Sequence, residues 1–500
     1  MSNIKPVRVR FAPSPTGHVH LGSARTALFD YLLARQTNGQ FILRIEDTDR
    51  KRLVPGAEQE LIANLHELGL NWEEGPDVGG PHGPYRQSER KHIYTKYAQK
   101  LIEQGYAYPC FCKPDRLLQV RQEKQKNKQL PHYDGLCRGL SQTEVNARIA
   151  DNEPYVIRFK SPKEGQTKVY DQIRGEITFD NSTLDDFILV KSDGWALYHL
   201  AAIVDDYLMK ITHVIRGSEW LPTFPLHSLI WRAFGWDEPI WVHLSVFLKP
   251  SGKGKMSKRE TIDLNKDGYS IFIRDLLDFG YLPEALINWI ALMGWSYDDH
   301  TEFFTMQDLI NKFSLQKLNP SPAAINFSRL DHFNKLHINH LQDDDLCDRL
   351  LPFFHKAGIK ADCETLKAIF PAIKERMVTL EDSVEMCTFL FQEQMNYDPE
   401  NLIIEGLSKD EILSVIRELL GILKTQKKWD LDTLEGVIRS YMTAHAFTPK
   451  QLFGFMREVI TAQRVSLPLF DSMVALGLEK TLKRFMQVEK LLENNRSVVK

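Results

Sequence analysis

The chain has no stretch of about 18 consecutive apolar residues, no internal repeat and no low-complexity segment. Its first residues, MSNIKPVRVRF, contain neither the apolar core of a secretory signal nor the Arg- and Ser-rich pattern of an organellar leader. We therefore expect a cytoplasmic protein. The net charge is also small, because 63 Lys and Arg residues nearly balance 66 Asp and Glu residues. Any polyanionic partner must therefore be bound by a local basic face.

Cysteine is sparse as well. Six cysteines in a chain of 500 residues are too few for a disulfide scaffold, and they fit a reducing compartment. Apolar residues make up 43% of the chain, which is enough for several hydrophobic cores. A chain of this length is expected to form roughly two to four domains.

The first 50 residues predict a strand, a helix and a second strand. Apolar residues alternate with arginines over 7–11, and from Leu21 the apolar spacing becomes helical. Gly39 stands where the C-terminal cap of that helix is expected, and QFILRIEDT (40–48) predicts the next strand. Strand, helix, strand is the unit of a parallel sheet, so ligands are expected beyond the carboxyl ends of the strands.

Two features near those ends point to a ligand. Arg10 and Glu46 lie close to the ends of the two strands, and the loop PSPTGHVHLG (13–22) separates the first strand from the helix. Glycine allows close approach of backbone N–H groups to an anion, and the helix adds its positive end, so the loop outlines a phosphate site. An ordinary strand-to-helix turn explains it equally well. His18 and His20 as a metal pair are weakly supported, because no further ligands are nearby.

Later segments suggest an interrupted α/β domain followed by helices. A Gly/Pro-rich link, GPDVGGPHGPYRQSER (75–90), precedes a mixed region that resembles an insertion, and β-rich sequence returns over 186–220. The loop FLKPSGKGKMSKRETI (247–262) is rich in lysine and glycine. It is either a solvated basic loop or a catalytic loop that closes over a triphosphate. Beyond it, nearly every segment has helical spacing.

Taken together, PSPTGHVHLG and KMSKR resemble the paired signatures of class I aminoacyl-tRNA synthetases. The ordered blocks RFAPSPTG, RIEDTDRKR, GPYRQSER, YHLAAIVDDYLM and VIRGSEW resemble the bacterial and organellar glutamyl-tRNA synthetases. The resemblance implies a Rossmann-type α/β catalytic domain with an inserted acceptor-binding domain, followed by an all-α anticodon-binding region. The implied domains are 1–92 and 191–250 (catalytic halves), 93–190 (insertion), 251–335 (stem-contact region with the KMSKR loop) and 336–500 (anticodon-binding region).

The resemblance also implies a reaction. The enzyme would activate L-glutamate with ATP and Mg²⁺ to glutamyl-adenylate and transfer glutamate to tRNA(Glu), acting as a monomer. A non-discriminating enzyme that also charges tRNA(Gln) remains an alternative. A glutaminyl-tRNA synthetase is less compatible, because such enzymes typically end in β-barrels and lack an arginine matching Arg216. The short tRNA-modifying relative lacks the anticodon region, and a catalytically dead tRNA-binding module would have lost His20 or the lysines.

Family residues carry over to matching positions. The residues implied for catalysis are His20, Lys255 and Lys258. Those implied for ATP are Gly17, His20, Gly22, Glu219, Lys255, Met256, Ser257, Lys258 and Arg259. Those implied for glutamate are Arg10, Phe11, Ala12, Ser14, Glu46, Tyr198, His199, Leu200, Ala201, Ala202 and Arg216.

Within the glutamate set, Arg10 and Arg216 match binders of the side-chain carboxylate and Glu46 matches the acid that binds the ammonium. Arg216 would reject glutamine, whose amide leaves the guanidinium unpaired. An exposed ion pair between Arg216 and Glu219 is the alternative. Ser23 stands where many class I enzymes have a second histidine.

Two further assignments rest on the resemblance. Cys110, Cys112 and Cys137 match three ligands of a zinc site found in some glutamyl enzymes, but Gly139 stands where the fourth ligand, a histidine, is expected. His132 or Tyr133 substitutes for it, or the three thiols are free; both interpretations stay open. Arg464, near the C-terminal end, matches a region that contacts tRNA.

Overall fold

The computed structural model of the protein describes residues 6–254 and 269–494. Its backbone divides into two compact units. The first comprises the chain up to Leu277 together with Leu286–Phe327, and the second comprises Asp278–Ala285 together with the chain from Ser328. The first unit is mixed α/β, and the described part of the second is built of helices. Within the described ranges, no helix is long and apolar enough to cross a membrane.

The predicted strand, helix and strand open the first unit. Strand β1 (Arg8–Phe11) pairs in parallel with β2 (Gln40–Leu43), and α1 (Leu21–Gln36) connects them. The second strand ends at Leu43, five residues before the predicted end at 48. Glu46 therefore lies on irregular backbone beyond the carboxyl end of β2.

The turn after α1 differs from the prediction. Asn38, with φ of 50°, is the left-handed residue there, and Gly39 has no positive φ. Gly39 is needed for a different reason, because a Cβ at this position would overlap the backbone carbonyl oxygen of Val7. That oxygen accepts the backbone N–H of Gln40 at 2.9 Å, so the contact helps to set the pairing of β1 with β2.

A four-stranded sheet adjoins β1. Its order is β6-β5-β9-β8, with β8 parallel to β9, β9 parallel to β5, and β5 antiparallel to β6. The strands are β5 (Gln166–Asp171), β6 (Gly175–Asp180), β8 (His213–Gly217) and β9 (Ile240–Leu244). The backbone N–H of Thr212, directly before β8, donates to Arg8 of β1 at 2.9 Å. The amino ends of β1 and β8 are therefore neighbours, and Arg10 Nη1 bonds to the carbonyl oxygen of Ile215 further along the two strands.

The region predicted as an insertion contains an antiparallel sheet of its own, ordered β3-β4-β7. Its strands are β3 (Ala107–Cys110), β4 (Val156–Phe159) and β7 (Ile188–Val190). Strands β5 and β6 lie in the same predicted range, but β5 pairs with β9 of the four-stranded sheet. The five-part domain division stays a prediction.

The other helices of the chain up to Lys312 are α2 (Ala57–Glu67), α3 (Lys91–Glu103), α4 (Pro114–Lys126), α5 (Gln142–Ala150), α6 (Tyr198–Leu208), α7 (Phe224–Ala233), α8 (Ile273–Asp278), α9 (Pro283–Leu292) and α10 (Met306–Lys312). Two short strands, β10 (Phe247–Leu248) and β11 (Ala323–Ala324), pair in parallel. Helix α6 packs against α7, and its first residue reaches the site described below.

The predicted all-α C-terminal region is confirmed. Its helices are α11 (Phe327–His340), α12 (Asp343–Lys356), α13 (Cys363–Ile373), α14 (Asp382–Phe391), α15 (Lys409–Lys424), α16 (Leu431–Ala444), α17 (Pro449–Thr461) and α18 (Leu469–Asn494). Cys347 of α12 forms a disulfide with Cys363, the first residue of α13, where the turn between the helices brings their Cα atoms to 5.7 Å. This pair differs from the reduced state that the sparse cysteines suggested.

Candidate active site

The carboxyl end of β1 carries a buried arginine. Arg10 Nε donates to Asp206 Oδ1 of α6 at 3.0 Å, and Nη1 donates to the carbonyl oxygen of Ile215 in β8 at 3.3 Å. This second bond brings Arg10 beside the next residue of β8, Arg216. Burial opposes the charge of Arg10, but attraction by Asp206 together with Asp30 and Tyr198 outweighs it, so the pKa of Arg10 lies above its ordinary value.

Glu46 belongs to the same buried cluster of charges. Arg44 Nη2 donates to Glu46 Oε1 at 3.1 Å, and Arg44 Nη1 donates to Asp206 Oδ1 at 2.7 Å. Burial raises the pKa of Glu46 to about 7, against the opposing effect of Arg44 and Arg10. Burial also acts on Asp206, but Arg10 and Arg44 outweigh it and hold its pKa below the ordinary value. Glu46 is thus the carboxylate that titrates near neutral pH.

Arg216, at the carboxyl end of β8, is the second buried arginine. Its Nε donates to His243 Nε2 at 3.0 Å and its Nη1 to His227 Nδ1 at 2.7 Å. Its Nη2 is buried and forms no hydrogen bond of good geometry within the described ranges, although the Tyr198 hydroxyl interacts with the guanidinium. Because Arg216 is only 6% exposed whereas Glu219 is exposed, the alternative of an exposed ion pair between them is wrong. Burial lowers the pKa of Arg216.

Tyr198, the first residue of α6, lies among these charges. Its ring stacks on Trp220 at 4.2 Å between centroids, which fixes its direction. Burial raises the pKa of the Tyr198 hydroxyl, and the charges of Arg216, Glu46 and Arg10 all act on it. Two cations and one carboxylate from separate elements are therefore grouped around Tyr198.

The other residues predicted for glutamate lie on the same two elements. Phe11 is buried at the end of β1, and Ala12 and Ser14 follow it in the loop. His199, Leu200, Ala201 and Ala202 form the first turn of α6 and its continuation, and the last three are buried.

His20 caps the N-terminus of α1. Its Nδ1 accepts the backbone N–H of Ser23 at 3.2 Å, and its Nε2 lies 3.1 Å from Ser23 Oγ. A Cβ at Gly22 would press on the imidazole at 3.1 Å, so this glycine leaves room for the ring. Gly17 has φ of 141°, a conformation that favours glycine. The loop thus ends at a helix N-terminus, where backbone N–H groups and the helix dipole favour an anion.

The other predicted ATP residues divide into two groups. Glu219 lies in the short 3-10 helix Ser218–Thr223 with its carboxylate folded over Gly217, where a Cβ would overlap it. The residues of the KMSKR motif lie outside the described ranges, and these are Lys255, Met256, Ser257, Lys258 and Arg259.

The three predicted thiols lie together. The Sγ atoms of Cys110, Cys112 and Cys137 are all within 4.8 Å of one another. The hydroxyl of Tyr133 lies 3.4 Å from the Sγ atoms of both Cys110 and Cys112 and accepts the backbone N–H of Cys137 at 2.8 Å. Of the two substitutes for the missing histidine, Tyr133 is the residue in contact with the thiols.

Two predicted residues lie elsewhere. Arg464 is in the exposed loop between α17 and α18, with its Nε 4.0 Å from Glu458 Oε1. His18 is exposed, and its Nδ1 lies 2.7 Å from Glu60 Oε1. Its partner is therefore a surface carboxylate rather than a metal shared with His20.

Sequence reasoning missed the residues that hold the predicted ones in place. Arg44 and Asp206 join Arg10 to Glu46, while His227 and His243 bond to Arg216. The only available signal was indirect, because Arg44 and Asp206 fall inside the blocks RIEDTDRKR and YHLAAIVDDYLM.

Two known families match the chain along most of its length. The family described as tRNA synthetases class I (E and Q), catalytic domain, matches residues 6–332. The family described as anticodon binding domain matches residues 345–488.

Curated relatives and a solved structure that match the full chain are glutamate–tRNA ligases. A glutamate–tRNA ligase of Dehalococcoides mccartyi is 42% identical over 97% of this chain and 99% of its own length. One from Chloroflexus aurantiacus is 41% identical over 99% of this chain and 100% of its own. The crystal structure of a glutamate tRNA ligase from Elizabethkingia meningosepticum, in complex with its amino acid, superposes with a TM-score of 0.89. Its sequence is 35% identical to this one, and the match covers 98% of this chain and 100% of that protein's chain.

Proposed function

This chain belongs to the glutamate–tRNA ligases of the class I tRNA synthetases; it activates L-glutamate with ATP and charges tRNA(Glu), and we propose which residues do so. The observation that carries the assignment of residues is the group of two buried arginines and one buried carboxylate around Tyr198. L-Glutamate presents two carboxylates and one ammonium, so its binding site requires both signs of charge.

In the proposed complex, Arg216 and Arg10 bind the side-chain carboxylate and Glu46 binds the ammonium. The buried Nη2 of Arg216 supports this assignment, because it lacks a hydrogen bond of good geometry within the described ranges and lies beside Tyr198, where a substrate carboxylate would supply an acceptor. Ser14 and Tyr198 add neighbouring polar contacts. Glutamine is rejected, because its amide leaves the charge of Arg216 without a counter-ion.

ATP binds with its phosphates at the N-terminus of α1. His20 and the backbone N–H groups there face the α-phosphate, Gly17 and Gly22 allow close approach, and Glu219 lies near the nucleoside. From the sequence, Lys255 and Lys258 bind the pyrophosphate part, with Met256, Ser257 and Arg259 beside them. Mg²⁺ adds positive charge at the phosphates when bound; we assign it no protein ligand.

The chemistry needs orientation and charge rather than a nucleophilic side chain. An oxygen of the substrate α-carboxylate attacks the α-phosphorus; the new P–O bond forms as the bond to the β-phosphate oxygen breaks, and pyrophosphate leaves. The cations stabilise the negative charge that develops on the phosphoryl oxygens. In the second step, a hydroxyl of the terminal tRNA ribose attacks the activated carbonyl carbon, and AMP leaves.

We also propose a structural zinc site formed by Cys110, Cys112, Cys137 and Tyr133. Tetrahedral zinc with Zn–S bonds of about 2.3 Å separates two thiolates by about 3.8 Å. The Sγ atoms of Cys112 and Cys137 are 3.6 Å apart, and the Tyr133 hydroxyl is 3.4 Å from two thiols, which fits such a set. The ion would join β3 to the short 3-10 helix Leu136–Gly139, which contains Cys137, without taking part in catalysis.

The remaining assignments complete the proposal. The insertion 93–190 binds the acceptor end, 251–335 contacts the stem, and 336–500 reads the anticodon with Arg464 at its surface. The protein acts as a monomer in the cytoplasm, where tRNA is charged for translation. Size-exclusion chromatography with light scattering tests the monomer, since a mass of twice 57.9 kDa would contradict it.

Aminoacylation of separate tRNA(Glu) and tRNA(Gln) transcripts, each with glutamate and with glutamine, tests the function. We expect glutamate on tRNA(Glu) and no charging with glutamine. Glutamate on tRNA(Gln) would identify a non-discriminating enzyme, and glutamine on tRNA(Gln) a glutaminyl enzyme. If a folded preparation charges neither RNA, the proposed function is wrong.

A further inference from the structure

The two buried arginines of the site are held by different kinds of partner. Arg10 bonds to a carboxylate, Asp206, which compensates part of its charge. Arg216 donates to two imidazole nitrogens instead, and within the described ranges it forms no ion pair. Its guanidinium also lies over the ring of Trp241, with Cζ 4.9 Å from the centroid. Arg216 is thus fixed in direction while its charge is left without a bonded anion.

One series of hydrogen bonds from Arg216 crosses three neighbouring strands. Arg216 of β8 lies opposite His243 of β9, and His243 Nδ1 lies 2.8 Å from Asp171 Oδ2 of β5. A guanidinium has donors only, so His243 Nε2 must accept from Arg216. The proton of the neutral ring is therefore on Nδ1, where it is donated to Asp171. Asp171 also accepts the backbone N–H of His243 at 2.9 Å, which holds the carboxylate in place.

A second series of hydrogen bonds runs from Arg216 through His227 of α7 to His199 of α6. Arg216 Nη1 donates to His227 Nδ1, so this nitrogen carries no proton and His227 Nε2 must donate to His199 Nδ1 at 2.9 Å. Burial lowers the pKa of His227 well below its ordinary value and the pKa values of His199 and His243 to about 4, so all three rings are neutral acceptors at physiological pH.

We propose that His243, with its proton fixed by Asp171, and His227 are positioning residues that orient Arg216 and thereby determine the selection of glutamate over glutamine. The proposal rests on the assignment of Arg216 as the binder of the side-chain carboxylate. Two neutral acceptors occupy Nε and Nη1 and direct Nη2 to the substrate. A carboxylate in either position would compensate the guanidinium charge, and a substrate carboxylate would then gain less over an amide.

Single substitutions at His243 and Asp171 separate this role from packing. His243→Leu removes the acceptor, whereas His243→Gln keeps an oxygen near the position of Nε2. Asp171→Asn places an amide N–H where a carboxylate oxygen accepted. This favours the His243 tautomer with its proton on Nε2, whose N–H then points at the Nε–H of Arg216. His213→Gln is the matched control, because His213 lies in the same strand as Arg216 and bonds to Thr212 instead.

The measurements are KM values for glutamate and ATP in aminoacylation and the inhibition constant of glutamine as a competitor. We expect His243→Leu and Asp171→Asn to raise the glutamate KM roughly tenfold or more, since each disturbs a hydrogen bond to a charged group. The inhibition constant of glutamine should rise less than the glutamate KM, so glutamine competes better relative to glutamate. The ATP KM should stay unchanged. His243→Gln should recover most of the glutamate KM, and His213→Gln should match the parent.

Measuring Arg216→Gln in parallel separates two proposals: that Arg216 binds the side-chain carboxylate, and that His243 and His227 position Arg216. If Arg216→Gln leaves the glutamate KM unchanged, the assignment of Arg216 itself is wrong. If Arg216→Gln raises this KM but folded Asp171→Asn and His243→Leu lower only kcat, the positioning role is wrong and the assignment stands. Circular dichroism identifies folded variants; if His243→Leu does not fold, Asp171→Asn alone decides.

Discussion

Arg44 Nη2 donates to Glu46 Oε1 at 3.1 Å, so the acid proposed to bind the substrate ammonium is itself held by a buried guanidinium. The same guanidinium bonds to Asp206, which also accepts from Arg10. The carboxylate proposed to bind one end of glutamate and the arginine proposed to bind the other are thus joined through Arg44 and Asp206. This connection fixes their separation before the substrate arrives, which reduces the cost of ordering the site on binding.

Glutamate binding should weaken as pH falls through 7. Burial raises the pKa of Glu46 to about 7, so lowering the pH protonates it and removes the charge that attracts the ammonium. Above this pKa the carboxylate is charged and binding is at its strongest. We expect the glutamate KM to rise roughly tenfold between pH 8 and pH 6. The ATP KM over the same range is the control, and a flat glutamate KM would contradict the role of Glu46.

Changing the second lysine of the KMSKR motif should separate activation from tRNA binding. Lys258→Ala removes a cation proposed to stabilise the pyrophosphate part of the transition state, so adenylate formation should fall by about 100-fold or more. Affinity for tRNA should stay within about twofold in a filter-binding assay. Lys253→Ala, in the same basic loop but before the motif, is the control. Unchanged ATP–pyrophosphate exchange in Lys258→Ala would exclude the assigned role.

The sequence predicted the charged residues of the site but not what holds them. Arg10, Glu46 and Arg216 were identified through motifs that stand out along the chain. Asp171 and His243 are 72 residues apart and meet only because β5 and β9 pair, which a single sequence does not reveal. The same limit applies to Arg44 and Asp206, whose contact spans 162 residues.

Short-range predictions succeeded where local chemistry decides the structure. The strand before the loop and the helix from Leu21 follow from residue spacing, and both are confirmed. The local sequence predicts the cap of that helix at Gly39, because glycine is the commonest left-handed residue, whereas in the structure Asn38 takes that conformation. Tertiary contact with Val7, invisible in the local sequence, is what requires glycine at position 39.

The protein should contain one zinc ion per chain when purified without chelator. Tyr133→Phe removes the proposed fourth ligand and keeps the ring beside Arg158, so zinc affinity should fall by roughly tenfold to 100-fold. Cys137→Ser should lose the ion, and Tyr155→Phe, which leaves the cluster intact, should keep it. Zinc is measured by mass spectrometry after dialysis. A parent protein without zinc after growth in zinc-supplemented medium would show that the three thiols are free.

Gly39→Ala should destabilise the first unit even though alanine is a small change. The added Cβ would overlap the carbonyl oxygen of Val7, which accepts from Gln40 and helps to fix the pairing of β1 with β2. Relief requires movement of the backbone that carries Arg10, so we expect a loss of about 1–3 kcal/mol in the free energy of unfolding and a higher glutamate KM.

Gly139→Ala is the matched control for that prediction. Gly139 lies in the same unit, has no positive φ, and a Cβ there would meet no atom within 4 Å. Its effect should stay within about 0.5 kcal/mol. Thermal unfolding of both variants, followed by circular dichroism and by tryptophan fluorescence, measures the difference. Equal melting temperatures for the two variants would mean that the β1–β2 turn tolerates a side chain. The glutamate KM would then be expected to stay at the parental value as well, because Arg10 would not have moved.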